Sequence, residues 1–164
     1  MNYLISFIYK QSKFYCIWVS GEEDYIVTND GQILIFDTID LLEQYEKDNG
    51  IVVNKSEEIQ YNLDKMLIWC LDEADTEYSC EEILNLWNIS YDITHSINKY
   101  FMGNEPVYDE LYEKIFYAND LFSSNPVPHN SVSDFSENEV LNIKKILKNG
   151  IETIIEGILV KYNV

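Results

Sequence analysis

The stretch from Met1 to Phe36, MNYLISFIYKQSKFYCIWVSGEEDYIVTNDGQILIF, decides the fold class. Tyr3, Ile5, Phe7 and Tyr9 alternate with Leu4, Ser6 and Ile8, a period of two that belongs to a β-strand. After the polar break Gln11-Ser12-Lys13, the aromatic and β-branched run Phe14 to Val19 makes a second strand. Ser20-Gly21-Glu22-Glu23-Asp24 is a turn cluster, and Tyr25 to Thr28 resumes as a third. Asn29-Asp30-Gly31 carries the Asp-Gly pair that suits the positive φ angles of a tight hairpin, and Gln32 to Phe36 follows as a fourth. The expectation is a four-stranded antiparallel meander that needs a cover on at least one face.

The remaining chain, 37–164, reads as mainly helical, so the class is α+β in one domain of 164 residues. Asp37 or Thr38 caps a segment in which Ile39, Leu42 and Tyr45 repeat at helical spacing, ended by Asn49-Gly50. Ser56-Glu57-Glu58 predicts the start of a second helix through Ile59, Leu63, Met66, Leu67 and Cys70. Ser79 with Glu82 three residues later is a capping box for a third, striped by Ile83, Leu84, Leu86 and Trp87. Pro106 in a first turn opens a fourth, with Leu111, Ile115 and Phe116. Ser123 to Ser133 is a loop. Ser136 and Glu139 form another capping box, Asn149-Gly150 is expected to break that helix, and Ile151 to Val160 to continue as a short one.

Charge is the strongest functional signal. The chain has 29 acidic residues, 11 lysines and no arginine, for a net charge of −18. Arginine is the usual fork for phosphate and carboxylate, so direct nucleic-acid or nucleotide binding is not expected. An acidic surface is repelled by anionic lipid, and no apolar run reaches bilayer length, so no membrane partner is expected. Met1 to Tyr9 lacks a basic n-region and a cleavage site, and the odd set Cys16, Cys70 and Cys80 reads as reduced thiols; both point to the cytoplasm. No CxxC, HExxH or phosphate-binding glycine loop is present, and His95 and His129 stand far apart, so no catalytic residue, metal or cofactor is expected. Trp87-Asn88 next to Asp92 is a possible small polar site on the third helix, although a hydrogen-bonded indole or amide accounts for it equally well.

Between Met66 and Asn98 there is no lysine, while Asp72, Glu73, Asp75, Glu77, Glu81, Glu82 and Asp92 fall there. An EF-hand loop starting at Asp72 would put Glu77 at its glycine position and Ile83 at its glutamate position, so calcium is excluded. Two readings fit the cluster: a solvated loop whose acids complement a helix N-terminus, or a docking surface for a basic protein. The second supplies the candidate partner-binding residues Asp72, Glu73, Asp75, Glu77, Tyr78, Glu81 and Glu82. Tyrosine among carboxylates suits an interface.

Three segments, Cys80 to Asn88, Tyr108 to Tyr117 and the proline-bearing loop before Ser136-Glu137-Asn138-Glu139, resemble the small acidic immunity proteins found beside polymorphic or contact-dependent toxins in bacteria. The resemblance covers roughly the C-terminal half. It implies a cytoplasmic, non-enzymatic protein that binds and neutralises a toxin domain. Toxins that attack nucleic acid are basic because they must neutralise phosphates, and an acidic inhibitor meets them by steered association. The alternatives are a DNA mimic that occupies a restriction or defence nuclease, and an acidic scaffold without inhibitory action.

Overall fold

A computed structural model describes residues 1–73, 77–119 and 135–160. Strands β1 (Asn2–Tyr9) and β2 (Ser12–Val19) pair antiparallel along their whole length, from Asn2 opposite Val19 to Tyr9 opposite Ser12. Lys10 and Gln11 both take positive φ, 49° and 62°, as a two-residue primed turn requires. The short β3 (Tyr25–Ile26) extends the sheet beyond β2.

The α+β class holds, but the meander does not. The Asp30-Gly31 turn forms a hairpin between β4 (Thr28–Asn29) and β5 (Gln32–Ile33), and this is a separate two-stranded ribbon. It is tethered to β2 by paired hydrogen bonds between the backbones of Tyr15 and Phe36. The fourth strand of the main sheet is β6 (Asn54–Asn62), which lies parallel to β1 with Ile5 beside Ile59 and Phe7 beside Tyr61. The order is β3-β2-β1-β6, a mixed sheet.

Residues 54–62 therefore form a strand where the Ser-Glu-Glu signal predicts a helix. The segment sits at a sheet edge, so Glu57, Glu58 and Gln60 can remain exposed. Glu58 is held there by the Ser6 hydroxyl and by Lys13 Nζ at 2.6 Å. A parallel pair cannot close through a hairpin. The intervening chain includes helix α1 (Ile39–Asn49), capped by Thr38 and ended by Gly50 at φ 65°. Glu46 on α1 accepts from Val53 N at 2.7 Å and pairs with Lys55 Nζ at 2.6 Å, fixing the approach to β6.

Alternation along β1 gives the sheet two covered faces. Leu4 and Ile17 pack with Phe36, Leu42 and Val53 on the α1 side. Ile5, Phe7, Phe14 and Cys16 turn to the other side and join the larger core. That core is built from α2 (Leu63–Cys70), α3 (Cys80–Ser96), α4 (Asp109–Ala118) and α5 (Glu137–Val160). The capping box at the head of α3 forms as expected: Ser79 Oγ accepts from Glu82 N at 3.2 Å, and Ser79 N donates to Glu82 Oε2 at 2.9 Å. Ser136 and Glu139 make the same pair of bonds at the start of α5. Pro106 opens a 3-10 turn, Pro106–Tyr108, just before α4.

Helix α5 does not break at Asn149-Gly150. Gly150 is buried where α5 meets α3, and a Cβ there would lie 2.3 Å from Ser90 Oγ. This glycine serves close helix contact, not termination. Among the described residues, no helix is long and apolar enough to cross a membrane. The expected loop 123–133 lies outside the described residues.

Candidate functional site

Helix α3 organises a concave surface together with the sheet. Its inward stripe, Ile83, Leu86, Ile89, Ser90 and Ile93, is buried, and the hydroxyls of Ser90 and Thr94 are returned to the carbonyls of Leu86 and Ser90. Its outward stripe is Glu82, Asn85, Asn88, Tyr91 and His95, spaced three or four residues apart and exposed. His95 stacks on Tyr91 with ring centroids 5.8 Å apart.

Between that helix and the sheet lies a cleft of about 410 Å³. Ile5, Trp18, Ile59 and Tyr61 supply its sheet wall, and Asn85, Asn88, Ile89, Tyr91 and Asp92 its helical wall. Tyr112 from α4 and Asp24 from the β2–β3 connection complete the rim. A wider depression of about 740 Å³ continues past Asn88, Tyr91 and Tyr112 to Asp109 and Glu113. A smaller one of about 300 Å³ continues the other way, past Ile59, Tyr61 and Asn85 to Tyr78 and Glu82. The three make a groove along α3 whose lining includes Asp24, Glu82, Asp92, Asp109 and Glu113, with Lys65 at the β6 end.

Asp92 is the most constrained of these carboxylates. It is only 8% exposed, and its Oδ2 accepts from Trp18 Nε1 at 2.9 Å. Burial pushes its carboxyl above the ordinary range; the indole bond and His95 oppose this, and the charge of Asp24 adds to it. Burial, reinforced by Asp92, likewise raises the Tyr61 and Tyr112 phenols. Tyr112 donates to Asn88 Oδ1 at 2.9 Å and packs edge-on against Trp87, centroids 5.5 Å apart. The cleft thus combines carboxylate charge with four aromatic rings, Trp18, Tyr61, Tyr91 and Tyr112. Such a lining can hold an organic cation by charge and by ring faces together.

The acidic segment singled out in the sequence is divided. Asp72, at φ 59° after α2, is ion-paired with Lys144 of α5, whose Nζ also lies 4.8 Å from the Trp69 ring centroid. Tyr78 is buried edge-on against Trp69 at 5.3 Å, so its ring belongs chiefly to the core. Glu82 is engaged in the capping box and reaches the small end of the groove. Glu73, Glu77 and Glu81 are exposed, and Asp75 lies outside the described residues.

Sequence reasoning placed Asn88, Asp92 and Trp87 together as a polar site but missed Asp24, Tyr61 and Tyr112 as their partners. Strand pairing brings Tyr61 and the β2–β3 connection with Asp24 to α3, and packing of α4 on α3 brings Tyr112. Trp18 stands half-buried with its indole N–H on the cleft carboxylate.

The three cysteines are buried, and burial pushes the Cys70 thiol up to about 12, which makes it a poor nucleophile. Among the described residues, no group of three or more His, Cys, Asp or Glu side chains is disposed to hold a metal ion. His129 lies outside the described residues. Comparison of the chain with protein-family models, with curated proteins and with solved structures gives no significant match.

Proposed function

We propose that this chain is an inhibitory binding protein that captures a basic protein, and specifically an immunity protein that neutralises a nuclease-type toxin domain. It works by occupying the toxin's surface, without catalysis of its own. The observation that carries this reading is how the chain disposes of its few cations. Lys13, Lys55, Lys114, Lys144 and Lys148 are tied in ion pairs to the chain's own acids. The groove carboxylates Asp24, Asp92, Asp109 and Glu113 line the two larger cavities, and among the described residues no lysine lines either. Carboxylates therefore outnumber cations on a concave, tyrosine-bearing surface, which suits steered capture of a basic partner. Alternation of acids with aromatic rings in a groove fits a protein partner better than a row of phosphate-like charges on a ridge would.

Capture at low salt from the host cell, with salt elution and mass spectrometry, tests this reading. A basic toxin domain released as salt rises is the expected result. Recovery of a DNA-modifying or defence complex would favour a DNA mimic. A partner whose activity is unchanged when bound would make the chain a scaffold.

A further inference from the structure

We propose that the cleft between α3 and the sheet is a socket for one cationic side chain, an arginine or lysine projecting from a loop of the basic partner. This rests on the inhibitor reading above and gives it an address. Asp92 lies at the wall and Asp24 at the rim, so two carboxylates act on the same cavity of about 410 Å³. Asp92 is nine-tenths buried, yet among the described residues the one hydrogen bond to its carboxylate is the Trp18 indole on Oδ2. A carboxylate in so low a dielectric attracts a counter-charge more strongly than one in open water.

The surroundings suit a guanidinium in particular. Trp18, Tyr61, Tyr91 and Tyr112 line the cavity with aromatic rings, and the side-chain oxygens of Asn85 and Asn88 offer further acceptors. A planar fork can stack and pair at once, which an ammonium does less well. The nearest cationic candidate of the chain itself, His95, stacks on Tyr91 and does not line the cavity. Carboxylates alone would say nothing of an occupant; the enclosing aromatic rings and the placing of a nine-tenths-buried carboxylate, Asp92, in the cavity lining supply the second observation.

The test uses the full chain labelled with ¹⁵N, followed at the Trp18 indole N–H signal. The probes are Nα-acetyl-arginine methylamide, its neutral isostere built on citrulline, and free arginine. Saturable shifts with the capped arginine, on the order of millimolar affinity, are expected. The citrulline probe should bind at least about tenfold more weakly, since a charge-assisted bond is lost. Asp24→Asn and Asp92→Asn should each weaken the arginine probe; Asp24→Asn at the rim carries the test should Asp92→Asn fail to fold.

No saturable shift, equal shifts from citrulline, or undiminished binding in both variants would overturn the proposal. Stronger binding of free arginine than of the capped form would make the cleft a metabolite pocket and overturn it as a docking socket. The titration contains no toxin, so its failure would remove the socket and leave the inhibitor reading to be judged by protection of cells.

Discussion

Gly150 decides how closely α5 approaches α3. A Cβ at this position would meet Ser90 Oγ at 2.3 Å and Ser90 Cβ at 2.6 Å, with Phe101 Cε2 at 3.2 Å. Alanine gains about 1 kcal/mol of helix propensity over glycine, whereas overpacking a tight crossing costs about 1–3 kcal/mol. Gly150→Ala should therefore lower unfolding free energy on balance, read by urea denaturation, although the residue lies mid-helix. Asp92 offers a second residue-scale outcome. Its folded carboxyl titrates above the unfolded value of about 3.9, so the folded state holds the proton more tightly. Its contribution to stability is greatest below that unfolded value and falls as pH rises through the folded one. Asp92→Asn still accepts from the Trp18 indole but never ionises. The variant should be more stable than the parent at pH 7, with the gap closing towards pH 3, as thermal melts across that range would register. Neither role is visible in the sequence alone: Asn149-Gly150 has the form of a helix stop, and the contact that contradicts it comes from Ser90, sixty positions earlier.

Elements were legible where the signal is local. The Ser79 box positions α3, and with it the outward stripe that lines the groove. Ser79→Ala should cost about 1 kcal/mol in equilibrium unfolding, while Glu81→Gln, which lies in the same turn outside the box, should cost less. The paired strands β1 and β2 were readable for the same reason, since alternation and a two-residue turn sit within eighteen residues. Strand β6 was not. Ser56-Glu57-Glu58 imitates a helix start, and only pairing with β1 some fifty residues away makes Ile59 and Tyr61 one wall of a cleft. An edge strand with charged outward residues has little hydrophobic pattern of its own, so its identity comes from its neighbour. The β4–β5 ribbon shows the converse: the Asp-Gly turn was right, but a local turn does not say which sheet its strands join.

At the scale of the molecule, charge was the most legible property, because composition needs no fold to be read. The candidate site was half legible. The acidic segment 72–82 was visible as a run, but folding gives Asp72 to Lys144, Tyr78 to the core and Glu82 to a helix cap. The groove instead assembles Asp24, Asp92 and the α4 pair Asp109 and Glu113 from three separate stretches, a grouping no linear pattern announces. For a chain carrying −18, association with the basic domain should approach about 10⁸–10⁹ M⁻¹s⁻¹ at low salt and fall steeply as ionic strength rises. Stopped-flow mixing over a salt series would show it, and charge reversal at Glu73, Glu77 and Glu81 tests whether that exposed segment contributes to the steering.

The central claim is inhibition, and growth reports it most directly. The basic domain recovered by capture would be induced in cells with and without this chain. The account predicts that the domain alone arrests growth and that co-expression of the chain restores it. Persistent arrest in the presence of folded, abundant chain bound to the domain would contradict it.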